Sequence, residues 1–367
     1  MRIELFDAAE DPAAARALYE IYLAGAPDDV PGGPPMSPVV FGGLMVQGWC
    51  CEPREMWLAS PGSGAPARAG TTAGPGPAAG GPVVGGYVLE LPDRENQDRA
   101  GIWLLVAPGQ RRAGIGTALL RHAGARARHL GRIMVTGEAM DGTAGSGFGR
   151  AVGATAKLTE ARRTLDVRAI PVGRLGELRS SVKAASAGYS LLDWSGPMPG
   201  AYLDAVARLN EAMHDAPHGA GLEAQRWDAE RVRATERRAL SQGLRHYSVA
   251  AKDERTGELA GLTELSVDPA HPGWGHQELT VVARAHRGHR LGLLLKVAML
   301  ELLAEREPQL EAIETYNAET NAHMVGINEM LGYRVTGRLA FWQMPAAAVG
   351  GAPGSRVPLS GDPVSGL

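Results

Sequence analysis

Val106-Ala-Pro-Gly-Gln-Arg111-Arg-Ala-Gly114-Ile-Gly116 returns later in the chain as Val282-Ala-Arg-Ala-His-Arg287-Gly-His-Arg290-Leu-Gly292. The two copies lie 176 residues apart, Arg287 against Arg111, with the same valine-to-arginine distance in each. Upstream of each copy stands a strand-like run, AGIWLLVAP or HQELTVVA. Downstream stands a helical one, GIGTALLRHAGARARHL or LGLLLKVAMLELLAE. A helix that opens behind a glycine turn presents unpaired N–H groups and a partial positive charge to an anion, and phosphate is the natural ligand. Arginine beside it neutralises further charge. Two other phosphate-binding patterns do not fit. Neither copy has the Gly-Lys-Ser/Thr of a Walker loop, and Gly114-Ile-Gly116 lacks the third glycine of a dinucleotide fold.

Working outward, the elements around the two copies follow one order. RIELF, VVGGYVLEL, IMVTGEA and LTEARRTLDVRAI read as strands in the first half. DPAAARALYEIYLAG begins a helix at Asp-Pro. In the second half YSLLDW, AIETYNA and RLAFWQM read as strands. HYSVAAKDERTGELAGLTELSV reads as a hairpin turning at Thr256-Gly257. A second landmark, Ala-Pro after the first helix, falls at Pro27 and Pro217. It stands 84 and 70 residues before the respective motif arginine. The excess in the first half is accounted for by a Gly/Pro/Ala insertion, residues 60–81. The expected organisation is a repeat: residues 1–170, a linker over 171–188, residues 189–345, and a flexible tail over 346–367.

Composition narrows the function classes. The chain has 367 residues, net charge −3 and 44% hydrophobic residues, enough for two cores without staples. The near-neutral charge argues against a nucleic-acid partner. The two cysteines, Cys50 and Cys51, are adjacent, so no disulfide framework is expected. The acidic start MRIELFDAAEDP does not read as a signal peptide. The greasiest run is interrupted by Lys296 and Glu301, so no membrane span is expected, and the reading is cytoplasmic. His286 and His289 lack further nearby ligands, so no metal is expected.

The motif Arg/Gln-x-x-Gly-x-Gly/Ala behind a V-x-P strand resembles that of the GCN5-related N-acetyltransferase (GNAT) superfamily. The second half adds Asn321-x-x-Met324-x-x-x-Asn328-x-x-Leu331-Gly332-Tyr333, which resembles that family's next strand–helix motif. The runs HRGHRLGLLLK and ETYNAETN resemble actinobacterial tandem proteins of the mycothiol-synthase type. The resemblance implies an α/β protein with two tandem GNAT-fold domains, each a mixed, mostly antiparallel sheet flanked by helices. It implies acetyl-CoA as co-substrate, a small-molecule amine (antibiotic or metabolite) as acceptor, direct attack, and a monomeric pseudo-dimer or a homodimer. Pantetheine would run near Val106 or Val282. Pyrophosphate would sit against Arg111, Arg112, Ala113, Gly114, Ile115, Gly116 and Thr117, or against Arg287, Gly288, His289, Arg290, Leu291, Gly292 and Leu293.

The second half is the expected catalytic one, because its second motif is fuller. The resemblance places a general base at His276, with Glu278 two residues on. Glu264 and Asp215 would face the acceptor, and Asn321 would touch CoA. Asn328 stands where the family often has a tyrosine acid; either it donates a hydrogen bond to the departing thiolate, or the thiolate leaves unaided. The alternatives are an acyl-CoA-binding regulator or scaffold with a non-catalytic site, and a transferase of longer acyl groups.

Overall fold

The computed structural model describes residues 1–48, 52–62, 82–215 and 222–350. Most of the 60–81 insertion, the Cys50-Cys51 pair and the tail beyond residue 350 lie outside the described residues. The first half runs β1 (Arg2–Phe6), α1 (Pro12–Asp29), α2 (Pro38–Gln47), β2 (Arg54–Ser60), β3 (Gly85–Glu90), β4 (Arg99–Val106), α3 (Ile115–His129), β5 (Met134–Met140), α4 (Ala144–Ala151) and β6 (Thr155–Asp166). After α5 (Arg174–Val182) the same order repeats. The second half runs β7 (Tyr189–Ser195), α6 (Leu203–Glu211), α7 (Ala229–Ser241), β8 (Arg245–Asp253), β9 (Leu259–Val267), β10 (Trp274–Val282), α8 (Leu291–Arg306), β11 (Ala312–Ala318), α9 (Ala322–Leu331) and β12 (Arg334–Pro345). Local chemistry sets the helix starts. Asp11 accepts from Ala14 N ahead of Pro12, and Ser37 accepts from Val40 N ahead of Pro38.

The strands form one twelve-stranded sheet, ordered β1-β2-β3-β4-β5-β12-β6-β11-β10-β9-β8-β7. Read from either end, the order is the same repeat, so a pseudo-twofold passes between β12 and β6. The closing strands are exchanged. β12 pairs with β5 from Leu339↔Met140 to Pro345↔Met134, and β6 pairs with β11 from Ala312↔Asp166 to Ala318↔Glu160. Each unit is therefore finished by a strand from the other half, and the boundaries 1–170 and 189–345 do not enclose self-contained sheets. The main chain of β5 and of β11 needs a neighbour, and the exchanged strands supply it.

Two further segments depart from the expected organisation. The 171–188 connection contains α5, whose Leu178 and Val182 are buried in one core with α8. Every residue of α8 from Leu291 to Leu300 is buried, and a helix apolar on all faces needs cover on the side away from the sheet. The 346–367 stretch, expected to be loose throughout, begins with a buried turn. Ala346 and Val349 pack in the α3 core, and Arg128 Nη1 donates to Ala346 O at 2.5 Å. The halves also meet through α2 and α7: a Cβ on Gly43 would come within 2.8 Å of Ser241 O. Arg231 of α7 is buried and pairs with Glu95 at 2.9 Å.

Candidate functional site

Both glycine motifs fold into the same loop. Arg111 Nε donates to Val106 O, and Arg287 Nε to Val282 O, each at 3.3 Å. In the first loop the left-handed positions are Arg112 (φ 65°) and Gly114 (φ 81°). In the second they are Gly288 (φ 88°) and Arg290 (φ 53°). Arginine takes the place of glycine at 290 without changing the turn. An arginine already occupies the other left-handed position of the first loop. Such a position costs a non-glycine residue roughly 1–2 kcal/mol. Ile115 and Gly116 open α3, and Leu291, Gly292 and Leu293 open α8, so the first-turn N–H groups point out of each loop. Gly292 is needed for close approach, since a Cβ there would lie 3.0 Å from Ile327 Cδ1. Arg112, Ala113 and Gly114 are exposed, as are Arg287, Gly288, His289 and Arg290; Thr117, inside α3, is half-buried. His289 Nδ1 lies 3.1 Å from Ala185 O. A diphosphate fits either loop by its donor set: backbone N–H groups, a helix N-terminus and guanidinium groups.

Each loop follows a pair of strands that part. β4 and β5 run parallel for Arg99↔Met134 to Gly101↔Thr136 and then diverge. β10 and β11 do so after Trp274↔Ala312 to His276↔Glu314. The clefts differ from here on. In β10 the register with β9 shifts between Gln277 and Leu279, leaving Glu278 as an extra residue. Gln277 Nε2 closes this bulge by donating to Glu264 O at 2.6 Å and Leu279 O at 3.1 Å. In β4 the register with β3 is unbroken, and Gly101 occupies the place of His276.

The bulge gathers a charged group on the cleft floor. His276 Nδ1 lies 3.0 Å from Glu314 Oε1, and Ser266 Oγ donates to Glu278 Oε1 at 2.7 Å. Burial opposes a charge on His276, but Glu278 and Glu314 outweigh it and raise its pKa to about 9. His276 is thus protonated near neutrality, which leaves it no capacity to accept a further proton. The expected base is held as an imidazolium. Burial alone would push Glu278 up, but His276, His246, Ser266 and Arg238 hold its carboxyl below the ordinary range. Glu264, opposite Leu279 on β9, is pushed up by burial, with Glu278 and Glu236 adding and His246 and Ser248 opposing. Its carboxylate has one long hydrogen bond among the described residues, from Ser248 Oγ at 3.4 Å.

The strand exchange brings in residues that sequence reasoning missed. Arg162 of β6, 1% exposed, lies with Nε 4.0 Å from Glu314 Oε2 and donates from Nη2 to Pro31 O at 2.5 Å. The only trace of this in the sequence is a pair of arginines within an otherwise strand-like run. Glu314 itself stands in the ETYNAETN run.

The two asparagines do other work than expected. Asn321 caps α9, its Oδ1 accepting from Met324 N at 3.3 Å. Asn328 has no exposed surface. Its Oδ1 accepts from Lys296 Nζ and its Nδ2 donates to Asn317 Oδ1, both at 2.7 Å. Its amide is committed to a buried network, so it is not free to serve a departing thiolate. Asp215 ends a 3-10 turn after α6, and its side chain lies outside the described residues. No group of His, Cys, Asp and Glu among the described residues could hold a metal.

The cleft of the second half opens on a cavity of about 600 Å³, which includes Glu264, His276, Glu278 and Glu314. The first half carries a different set. Glu138 of β5 has its pKa pushed up to about 7 by the protein around it, with Glu160 and Glu90 adding. Among the described residues the charges acting on it are these two carboxylates.

Comparison with known proteins places these features. Residues 71–143 match the acetyltransferase (GNAT) family. The chain is similar to the solved tandem GNAT protein from the clavulanic acid biosynthesis pathway (29% identity, 94% of this chain and 98% of that one, TM-score 0.76). It shares its fold with a GCN5-related N-acetyltransferase from Sphaerobacter thermophilus (15% identity, 94% and 95% coverage, TM-score 0.60). The same holds for a GCN5-related glucosamine N-acetyltransferase region of a fungal multi-domain GH3 beta-N-acetylglucosaminidase (13% identity, 94% and 38% coverage, TM-score 0.61). No curated protein sequence gives a significant match.

Proposed function

We infer that this chain, a tandem GNAT protein in fold with a GNAT acetyltransferase match in its first half, acetylates the primary amine of a small molecule at the site of its second half. The single observation that carries the assignment is the asymmetry of the clefts. Among the described residues the second has the β10 bulge and the His276–Glu314 contact, with a cavity beside them, where the first has an unbroken β4 register and Gly101. The similarity to a protein of clavulanic acid biosynthesis agrees with an acceptor drawn from small-molecule metabolism.

Acetyl-CoA supplies an acyl group activated as a thioester. Arg287, Arg290 and the N–H groups from Gly288 to Leu293 hold its diphosphate, and the free edge of β10 up to Val282 runs beside its arm. The amine nitrogen attacks the acetyl carbonyl. The new C–N bond forms and the C–S bond breaks. The substrate ammonium loses one proton to a protein group so that it can attack, and the second nitrogen proton passes to the departing thiolate, which leaves as thiol. Glu264 is the best acceptor present, since its raised pKa makes it the stronger base of the two carboxylates flanking the bulge. His276, cationic between Glu278 and Glu314, holds both carboxylates in place as a positioning residue. The first half keeps the loop but has glycine for His276, which favours a non-catalytic acyl-CoA site there as a second reading.

Thiol release with a panel of amines, read together with the mass of the product, tests the proposal. Release coupled to an acetyl mass gain is expected. Glu264→Gln should lower turnover by about 100-fold or more. Near-normal turnover in that variant overturns the role of Glu264, and binding of acetyl-CoA without release on any amine overturns the activity.

A further inference from the structure

The cavity beside the second half's cleft is walled by both halves. Pro34, Met36, Val40 and Leu44 of the first half face Met198, Trp227, Leu279 and other residues of the second. The first half's wall is fixed in place. Met36 N donates to Tyr22 Oη at 2.8 Å, Tyr19 Oη donates to Met36 O at 3.2 Å, and Arg162 anchors Pro31 O. Gly33 lies so close to Trp274 that a Cβ would come within 3.3 Å of the ring. These contacts make the wall a preformed surface.

The charges on the lining are unequal. Glu236, Glu264, Asp268, Glu278 and Glu314 all face the cavity. Three of them are matched. Glu236 accepts from Arg233 Nη1 at 2.7 Å and from Met198 N at 2.5 Å. Glu314 and Glu278 share His276, and Arg238 acts on Glu278 as well. The other two have no ion pair with an arginine or lysine among the described residues, although His246 on β8 acts on Glu264. Glu264 has the long Ser248 contact, and the Asp268 carboxylate accepts from Ala270 N in a turn, at 2.9 Å. They lie on one face of β9 and its extension, four residues apart, so their separation is about 13 Å at roughly 3.3 Å per residue. A carboxylate turned into a half-enclosed cavity is expensive unless a cation meets it.

We propose that the acceptor is an amine with two positive centres on an apolar body, one centre at Glu264 and the other at Asp268, the body held between the first half's Met36–Val40 wall and Trp227. The ammonium at Glu264 gives that carboxylate one proton and reacts as the free amine, and the ammonium at Asp268 stays charged and sets the register. The inference rests on the acetyl-transfer reading of this site, and it makes the first half the specificity wall of the second.

The test compares an n-alkylamine with an α,ω-diaminoalkane of about eight carbons, a length chosen to bridge the ~13 Å span. In the full chain, kcat/KM is expected to be at least about tenfold higher for the diamine. Asp268→Asn should lower the diamine's value at least about tenfold more than the monoamine's. Equal values for the two amines in the unaltered chain overturn the proposal, as does a diamine preference that survives Asp268→Asn. Release from no amine at all defeats the acetyl-transfer reading instead. Calorimetric titration with the diamine alone then decides the cavity assignment. Binding weakened at least about tenfold by Asp268→Asn supports it, and no binding, or binding indifferent to that change, overturns it.

Discussion

Lys296 offers the sharpest energetic test of the core. It sits in α8 with 2% exposure, its Nζ bonded to Asn328 and lying 4.9 Å from the centre of the Tyr333 ring. Burial lowers its pKa from 10.5 to about 7. The sign follows from linkage. The unfolded chain keeps the lysine charged up to about pH 10.5, while the folded chain releases the proton near pH 7. The cost to folding is therefore fully present below pH 7 and fades as the pH rises towards 10.5. A difference of that size corresponds to about 5 kcal/mol at low pH, about 4 kcal/mol at pH 7 and less than about 1 kcal/mol at pH 10. Lys296→Met removes this cost but leaves Asn328 Oδ1 without its donor, a loss of about 1–3 kcal/mol. The variant should be more stable than the parent at pH 7 by about 1–3 kcal/mol, and equal or less stable at pH 10. Urea unfolding of both proteins at the two pH values, followed by far-UV circular dichroism, measures the quantity. A stability difference that is the same at pH 7 and pH 10 would refute the reasoning, because only the titration of Lys296 makes it change.

Two other outcomes are expected. Proton NMR of the imidazoles should find His276 titrating near pH 9, and Glu314→Gln should bring it down towards the ordinary histidine range. The stabilisation this contact adds is present below pH 6.5 and lost as pH rises through 9; a titration near 6.5 in the unaltered chain contradicts the cleft electrostatics. Residues 1–172 produced alone lack β12 and should expose the β5 edge and self-associate. Co-production with residues 173–367 should restore a 1:1 complex, and a stable monomer of either piece contradicts the strand exchange.

Much of this was legible in the sequence because it depends on local spacing. The repeated Val-to-Arg-to-Gly interval gave both loops, and the alternation of apolar residues gave most strands. Four elements were not legible or only half so. In α2, glycines and β-branched residues mask a helix that Ser37 and Pro38 start and that tertiary packing completes. In α4, three glycines within eight residues do the same. In α5 the pattern is too polar to announce the two leucine and valine contacts it makes with α8. The exchange of β6 and β12 left no trace, because alternation tells which faces a strand has and not which strand lies beside it.

The site divided in the same way. The family resemblance singled out His276, Glu278 and Glu264 by their positions before the motif valine and on the neighbouring strand, and the structure places all three on one cavity. Their electrostatics were not legible, because Glu314 reaches His276 only through the β10–β11 register, and Arg162 reaches Glu314 only through the β11–β6 register. Asn321 and Asn328 were misread for one reason. Side chains in a motif can serve the helix end or the core, and Lys296, the one charged residue among the buried residues of α8, claims Asn328.

The central claim is that acetyl transfer occurs in the second half. Arg290→Glu and Arg112→Glu reverse the charge at exposed, left-handed positions of the two loops, so their backbone costs are matched. Steady-state thiol release as a function of acetyl-CoA concentration compares them directly. The account predicts that Arg290→Glu raises the acetyl-CoA KM at least about tenfold while Arg112→Glu does not. A tenfold rise with Arg112→Glu and none with Arg290→Glu would contradict it and move the chemistry to the first half.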